Sequence, residues 1–395
     1  MSENEQTGQQ GQYVGPVSPS GSPDTGVPAE SEVGATPTGG GRRPHGDQAA
    51  LSWSKGWAKP GRNRDRRTGG RARGGRDESV MVPDADFRSY YGRAILKPPT
   101  WTHDIAIYLF TGGLAAGSSL LAAGADLTDR PTLRRSARGT AMGALLASTY
   151  FLIADLGRKE RFHHMLRVAK PTSPMSAGTW ILSGYGPLAG AAAMAELAPL
   201  LPERGVLGLM RRLAPPVGRL SGLGAATFAP ALATYTAVLF ADTAVPSWHE
   251  AYRELPFVFG GSALAAGAGA GMVLVPVAEA GPARKVALLG AAVELAAGTR
   301  MERGHGLLSE PYENGEPGKQ LRAARALTAV GAVSALLGGR SRLLSGVSGT
   351  SLLAGSLLTR LGVFGAGVAS TKDPKYVVVP QRERLERGEP ARSGT

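Results

Sequence analysis

Residues 155–178 form a dense polar segment between two long apolar runs. The segment begins with Asp155 and carries His163, His164 and several arginines. A carboxylate, imidazoles and guanidinium groups at the point where apolar helices emerge indicate a site at a membrane surface. Within this segment, Asp155 and His163 are the candidates for catalytic proton transfer.

The residue types argue against several kinds of metal chemistry. The 395-residue chain has no cysteine, which removes disulfides, thiolate zinc sites and cysteine-ligated iron–sulfur clusters. None of its six histidines falls in the middle of an apolar run, where a haem held by two imidazoles would need them. Glu160, His163 and His164 have helical spacing, but no further ligand is evident. We therefore expect no haem, iron–sulfur cluster or metal site in this chain.

Eight apolar segments follow the first hundred residues. Five are long, at residues 105–125, 137–154, 177–197, 220–241 and 257–278, and three are shorter or interrupted, at 286–297, 323–337 and 343–364. A helix needs about 20 apolar residues to cross the hydrocarbon core, and continuous apolar runs favour helices over barrel strands. The predicted fold is an all-α integral membrane protein with about eight transmembrane helices in two bundles, over residues 81–370.

Polar segments flank this membrane region. Residues 1–80 are rich in Gly, Ser, Pro, Gln, Glu and Arg, so they are predicted to be a disordered basic tail. RNA binding by its Arg-Gly run at 62–76 is the alternative to contact with membrane lipid. Residues 371–395 are predicted to be a polar C-terminal tail. The net charge is +13, and the Lys and Arg residues are concentrated in the tails and in short loops between apolar runs, which favours lipid attraction over a nucleic-acid partner.

Lysine and arginine placement predicts the orientation. With eight helices both termini share one side, called here the tail side. The basic residues of the loops are nearly balanced between the two sides, and the termini tip the balance. We therefore expect a multi-pass protein of the cell membrane with its N-terminus in the cytoplasm.

Helix parity gathers chemically capable residues on the tail side. The first helix begins there and the fourth ends there, which brings together His103, Asp104, Tyr108 and Tyr235. Such a cluster suits an amphipathic ring such as a quinone, whose carbonyls need donors and whose reduction needs protons. The simpler interpretation is interfacial packing for the aromatic residues and helix capping for the carboxylates.

Two further features lie inside the apolar runs. Glu294 and Arg360 are predicted at similar depth in the sixth and eighth helices, where an ion pair would lower the cost of burying each. A structural pair and a proton relay both remain open for them. Glycines four residues apart, in the first and fifth helices, indicate close helix packing; they are Gly113 with Gly117, and Gly267 with Gly271.

Three motifs resemble the NrfD/polysulfide-reductase family of membrane subunits. Tyr108-Leu-Phe-Thr-Gly-Gly-Leu-Ala-Ala-Gly117 is similar to the family's first-helix signature. The second motif is similar to Asp155-Leu-Gly-Arg158 followed by Pro171-Thr-Ser-Pro-Met-Ser-Ala-Gly-Thr-Trp180. The third is similar to Tyr235-Thr-Ala-Val-Leu, Val245-Pro-Ser-Trp248 and Leu255-Pro-Phe-Val-Phe259. The motifs occur in the family's order, across about residues 85–280.

The resemblance implies an eight-helix subunit without a cofactor of its own. Such a subunit anchors a ferredoxin-type 4Fe-4S protein, which serves a molybdopterin oxidoreductase in respiration, and it exchanges electrons with quinone or menaquinone as a diffusible substrate. The quinone-binding residues implied here are Asp104, Tyr108 and Tyr235, with His103 beside them. Asp104 and Tyr108 depart from the Asn or His that family members carry at these positions.

The same resemblance makes the tail side a docking face. The residues expected to meet the iron–sulfur partner are Arg158, Arg161, Arg167, Trp248 and His249. On this interpretation the chain is a quinone-reacting or non-catalytic subunit of an oxidoreductase. Two alternatives remain: an ion-translocating transporter that uses Glu294 and Arg360, and a membrane anchor without a quinone site.

Overall fold

The computed structural model describes residues 94–156, 158–339 and 341–388, and the side chain of Arg161 lies outside this description. Within these ranges the regular elements are α-helices and short 3₁₀ helices, with no β-strand. The predicted all-α class is therefore confirmed. The predicted disordered tail at 1–80, including its Arg-Gly run, lies outside the described residues.

Eleven α-helices occur in the described ranges, and eight of them have 20 residues or more. The segment Lys159–Leu166, between the second and third of them, is a 3₁₀ helix. In chain order the α-helices are α1 (His103–Leu127), α2 (Pro131–Ala154), α3 (Pro174–Ala195), α4 (Gly205–Ala241), α5 (Pro246–Glu250), α6 (Leu255–Leu274), α7 (Gly281–Arg303), α8 (Glu310–Glu313), α9 (Gly315–Leu337), α10 (Arg342–Lys372) and α11 (Lys375–Glu386).

The long helices overlap the eight predicted apolar segments, but several boundaries differ. α4 begins at Gly205 instead of 220, because Arg211, Arg212 and Arg219 interrupt the apolar pattern in its N-terminal part without ending the helix. α6 ends before 278, since Val275 is extended and precedes Pro276, which disfavours helical geometry there. α10 continues to Lys372, and residues expected in a polar tail form α11, which has no fully buried side chain.

Four of the long helices, α1, α4, α6 and α10, are long and apolar enough to cross a membrane. The other four are 22 to 24 residues long and carry more charged, polar or small residues. Together these helices indicate a membrane protein.

Helices α1 and α6 lie at the centre of the packing. α1 contacts α2, α4 and α6, and α6 also contacts α7 and α10, while α3 packs on α4 and α9 on α10. Gly117 of α1 and Gly267 of α6 face each other so closely that a Cβ on either would overlap the other helix's backbone. The prediction that the spaced glycines allow close helix approach is confirmed.

Because successive long helices run in alternating directions, the start of α1 and the end of α10 lie on one surface. We call it the tail-side face; it contains the starts of α1, α3, α6 and α9, the ends of α2, α4, α7 and α10, and the short helices α5, α8 and α11. Trp101, before α1, stacks on Trp248 of α5 with ring centroids 6.1 Å apart. Lys375 Nζ of α11 lies 2.6 Å from Glu310 Oε2 of α8.

A charged cluster closes the opposite end of the first four helices. Glu196, after α3, accepts hydrogen bonds from Arg134 at 2.7 Å and Arg138 at 2.8 Å, and Arg134 also reaches Asp126 at 3.2 Å. Burial raises the pKa of the Glu196 carboxyl, but hydrogen bonding and charge from Arg134, followed by the charges of Arg138 and Arg135, hold it below its ordinary value. The positive charges of these arginines are therefore largely balanced by Glu196 and Asp126. They contribute less to the lysine and arginine bias that sets the membrane orientation than their number suggests.

Candidate functional site

The hydroxyl groups of Tyr108 in α1 and Tyr235 in α4 are in hydrogen-bond contact. Tyr108 is only 6% exposed, whereas Tyr235 is half-buried. Gly178 of α3 lies directly against the Tyr235 ring, where any side chain would collide with it. Three helices thus converge on one tyrosine pair.

The pair lies inside the helix bundle and not at its rim. Tyr108 is five residues into α1 (103 to 108), and Tyr235 is six residues before the end of α4 (235 to 241). At 1.5 Å of rise per residue, both are roughly 8–9 Å from the helix ends at the tail-side face. A tyrosine placed there presents a polar hydroxyl in mainly apolar surroundings.

An aromatic cluster packs between the tyrosine pair and the tail-side surface. Trp248 stacks on Phe240 with ring centroids 4.1 Å apart, and Trp101 stacks on Phe240 at 5.7 Å. Trp248 has no exposed surface, and its Nε1 donates to the Val363 carbonyl at 2.7 Å. The prediction that Trp248 contacts a docked partner is therefore wrong: the residues of α5 turn its indole inward, where it packs the core.

The remaining helix-1 candidates surround the start of α1. His103 is exposed and its ring lies 6.1 Å from Phe364 of α10. Asp104 is half-buried, and its backbone N–H donates to Thr102 Oγ1. Among the hydrogen bonds of the described residues, none joins the Asp104 carboxylate to Tyr108 or Tyr235. The structure brings the two tyrosines together and leaves Asp104 nearer the surface.

Asp155 joins the end of α2 to the start of α1. Its Oδ1 accepts from the Thr102 backbone N–H at 3.3 Å and from Thr102 Oγ1 at 3.0 Å. Thr102 Oγ1 in turn caps α1 through the Asp104 N–H. This arrangement holds the first turn of α1 in place, which is a positioning role close to the helix capping that was the simpler interpretation for the carboxylates.

We expect Asp155→Ala to loosen the first turn of α1 by about 1–3 kcal/mol, because it removes the acceptor of two hydrogen bonds. Faster hydrogen–deuterium exchange of the amides at 103–107 would report the loss. Asp155→Asn is the decisive companion, since its amide oxygen still accepts but the group no longer transfers a proton. If Asp155→Asn turns over quinone at the wild-type rate, Asp155 only positions α1. If the variant is inactive while the amides at 103–107 exchange as in the wild type, Asp155 is a proton-transfer residue.

The histidine-containing segment lies on the surface. His163 and His164 are exposed within the 3₁₀ helix, with ring centroids 4.4 Å apart. The segment is tied to α3, where Trp180 Nε1 donates to the Val168 carbonyl at 3.3 Å. The other predicted docking residues that the structure describes here, Arg158, Arg167 and His249, are exposed as well.

The sequence that forms these helices matches a known family. Residues 96–289 match the family model described as polysulphide reductase, NrfD. This segment belongs to the NrfD family. No curated protein matches the chain. The NrfD segment covers α1 to α6 and the start of α7, so it includes Tyr108, Gly178, Tyr235 and Trp248.

Glu294 and Arg360 lie beyond the NrfD segment, and both are buried. They do not form the predicted direct ion pair within 4.0 Å. Glu294 Oε1 accepts from Thr359 Oγ1 at 2.7 Å, while Arg360 Nη2 donates to the Phe259 carbonyl at 2.8 Å. The Arg360 guanidinium also stacks over the Phe259 ring at 3.8 Å. Thr359, which precedes Arg360 in α10, is therefore the hydrogen-bond partner of Glu294 instead of Arg360.

Two buried carboxylates were not singled out as site residues, namely Glu302 beyond the NrfD segment and Glu254 within it. Glu302 at the end of α7 is buried, and its Oε2 lies 2.6 Å from Arg325 Nη1 of α9. Glu254 is buried between Arg300 at 3.1 Å and His305 at 3.3 Å, on the wall of a tail-side groove of about 640 Å³. A signal existed for Glu302, because it follows Glu294 by eight residues and so returns to nearly the same helix face.

Proposed function

We propose that this chain is a polytopic membrane subunit of an oxidoreductase complex and that it binds quinone or quinol at the Tyr108–Tyr235 pair. The contact between these two hydroxyls carries the proposal, because it brings together the helix-1 and helix-4 positions to which the family resemblance points. The family match supports the membrane-subunit part of this proposal.

The chemistry of the pair suits a quinone carbonyl. Tyrosine hydroxyls are neutral at physiological pH, and each both donates and accepts a hydrogen bond. When one phenol donates to the other, one O–H remains to donate to a ligand oxygen. Tyr235 is the accessible member, since it is half-buried while Tyr108 is enclosed. A ring ligand would therefore meet Tyr235 first, with Tyr108 holding that hydroxyl in position.

The topology we propose has eight membrane-spanning helices, namely the eight long helices described above. Both ends of the membrane domain would lie on the tail side, which the charge balance assigns to the cytoplasm. The quinone, menaquinone in an anaerobic respiratory chain, is an exchangeable substrate, and the protons of its two-electron reaction would pass through the tail-side face. His103 lies exposed there.

We further propose that the tail-side face docks a ferredoxin-type 4Fe-4S subunit, which connects to a molybdopterin catalytic subunit. The exposed cations Arg158 and Arg167, with His249 nearby, suit an acidic electron-transfer partner. A cytoplasmic tail side would make that partner cytoplasmic. A simple membrane anchor would need this docking surface but not the tyrosine pair, and that difference separates the two functions.

We expect Tyr235→Phe in the purified, assembled complex to lower quinone turnover by about 10–100-fold, because it removes a positioned donor. Tyr108→Phe should have a smaller effect in the same direction, since it acts through Tyr235. The rate of quinone reduction or quinol oxidation at a saturating supply of electrons is the measurement.

Tyr185→Phe provides the matched control. Tyr185 is buried like Tyr108, but its hydroxyl bonds Ser119 Oγ at 2.7 Å and the Ala115 carbonyl at 2.9 Å, deeper in the bundle. Retention of the partner subunits during purification must be the same in all three variants. Undiminished quinone turnover in Tyr235→Phe and Tyr108→Phe, with partners retained, would overturn the quinone site and leave the anchor function.

A further inference from the structure

The buried carboxylate of Glu294 is only partly satisfied by the protein. It is 4% exposed, and its Oε1 accepts from Thr359 Oγ1. Its Oε2 has no hydrogen-bond partner among the described residues. A buried, unpartnered carboxylate oxygen is unfavourable, so this atom calls for either a bound proton or a water molecule.

A cavity adjoins this carboxylate. Its volume is about 20 Å³, and its lining includes Glu294, Thr359, Thr328, Glu302 and Arg325. A cavity of this size has room for about one water molecule, and these polar groups provide the partners such a water needs. Gly298 lies on its wall between the two carboxylates and has no side chain to block the space between them.

The cavity leads toward the tail-side face through Glu302. Glu302 is 3% exposed, and it contacts Arg325, which is 35% exposed at its side chain. Glu302 therefore lies between the cavity and a partly exposed cation at the tail-side end of α7.

The other groups around Glu294 are hydroxyl groups and two cations. Helix α6 contributes Ser262, whose hydroxyl lies beside the Glu294 carboxylate and donates to Ser356 of α10, and α9 contributes Thr328 and Arg325. Arg360 is the nearby cation on α10, but its guanidinium is directed to Phe259. Arg360 therefore lies near the Glu294 carboxylate without a direct contact between the two charged groups.

We propose that Glu294 is a protonation site within the helix bundle, which exchanges protons with tail-side solvent through the cavity water and Glu302. In each transfer the Glu302 carboxyl gives a proton to the water, which passes a proton to Glu294 Oε2. Glu302 then regains a proton from solvent, and the reverse order discharges Glu294. Glu294 and Glu302 both lie outside the segment 96–289, and neither is part of the Tyr108–Tyr235 pair.

The full-length chain in lipid vesicles allows a direct test with dicyclohexylcarbodiimide, which adds covalently to protonated carboxyl groups in apolar surroundings. Tryptic cleavage gives the peptide 286–300, in which Glu294 is the only side-chain carboxyl group. We expect this peptide to be modified, and modified faster at lower pH. An unmodified peptide at every pH at which the protein stays folded would mean a permanently ionised Glu294 and would overturn the inference.

Infrared spectroscopy tests the route. The carboxylic acid band that is lost in Glu294→Gln should shift after transfer to D2O, and Glu302→Gln should slow that shift about tenfold, equivalent to about 1.4 kcal/mol of barrier. Glu316→Gln is the matched control, because Glu316 is exposed in the first turn of α9 and is paired only with Lys319. An unchanged rate in Glu302→Gln overturns the route. Quinone turnover that depends on Tyr235 would be unaffected by either negative result, so the two proposals can fail separately.

Discussion

Trp248→Ala is expected to destabilise the protein by about 3–5 kcal/mol, which is the range for deleting a large buried aromatic side chain. Trp248 is fully buried, stacks on Phe240, and donates to the Val363 carbonyl of α10. Its removal leaves a cavity where α4, α5 and α10 meet and removes the hydrogen bond from the indole to the Val363 carbonyl. Thermal unfolding of the detergent-solubilised protein measures the loss.

A double-mutant cycle with Gly367 isolates the packing contribution. A Cβ at Gly367 would overlap the Trp248 indole, so Gly367→Ala alone should also destabilise the protein. Phenylalanine at 248 lacks the second ring and leaves room for that methyl group. Gly367→Ala should therefore be less harmful in the Trp248→Phe background than in the wild type, and strict additivity would contradict this packing.

The position of Trp248 also affects how functional data are interpreted. Trp101 stacks on both Trp248 and Phe240, and it directly precedes the start of α1, which carries Tyr108. Loss of Trp248 would therefore disturb the tyrosine pair through packing. A fall in quinone turnover in Trp248→Ala is not a sign of lost partner docking. Arg158→Ala and Arg167→Ala test docking more directly, since both side chains are exposed.

Much of the helical architecture follows from the sequence because apolar run length and helix direction are simple constraints. The eight apolar segments predict the eight long helices, and alternation predicts that Thr102 and Asp155 share a face. Helix ends were harder to place, since they depend on polar residues that hydropathy ignores. The N-terminal part of α4 illustrates this, because the helix continues through Arg211, Arg212 and Arg219, which a hydropathy pattern excludes.

The site was predictable at the level of which residues meet, but not in how each side chain is oriented. Both Tyr108 and Tyr235 are predicted on the tail side, and their hydroxyl groups contact each other in the structure. The burial of Trp248 and the separate partners of Glu294 and Arg360 depend on helix rotation and rotamers. A pattern of apolar residues leaves both undetermined when a helix is apolar on nearly every side.

Gly117→Val should disrupt the contact between α1 and α6, and we expect it to cost at least about 3 kcal/mol, at or beyond the upper end of ordinary overpacking. A Cβ at Gly117 would overlap the backbone carbonyl of Ala263 and approach the Cα of Gly267. These are backbone atoms, so no change of side-chain rotamer can relieve the overlap. The central helices would have to separate, which would also displace Tyr108 from Tyr235.

Gly124→Val is the control that gives this prediction its meaning. Gly124 lies two turns further along α1, and a Cβ there would meet no atom within 4 Å. Both substitutions place the same β-branched residue in the same helix, so the difference in helix propensity cancels. Unfolding measured side by side in one detergent should show a large loss for Gly117→Val and a small one for Gly124→Val. Equal losses would mean that propensity, not the α1–α6 backbone contact, sets the requirement for glycine at 117.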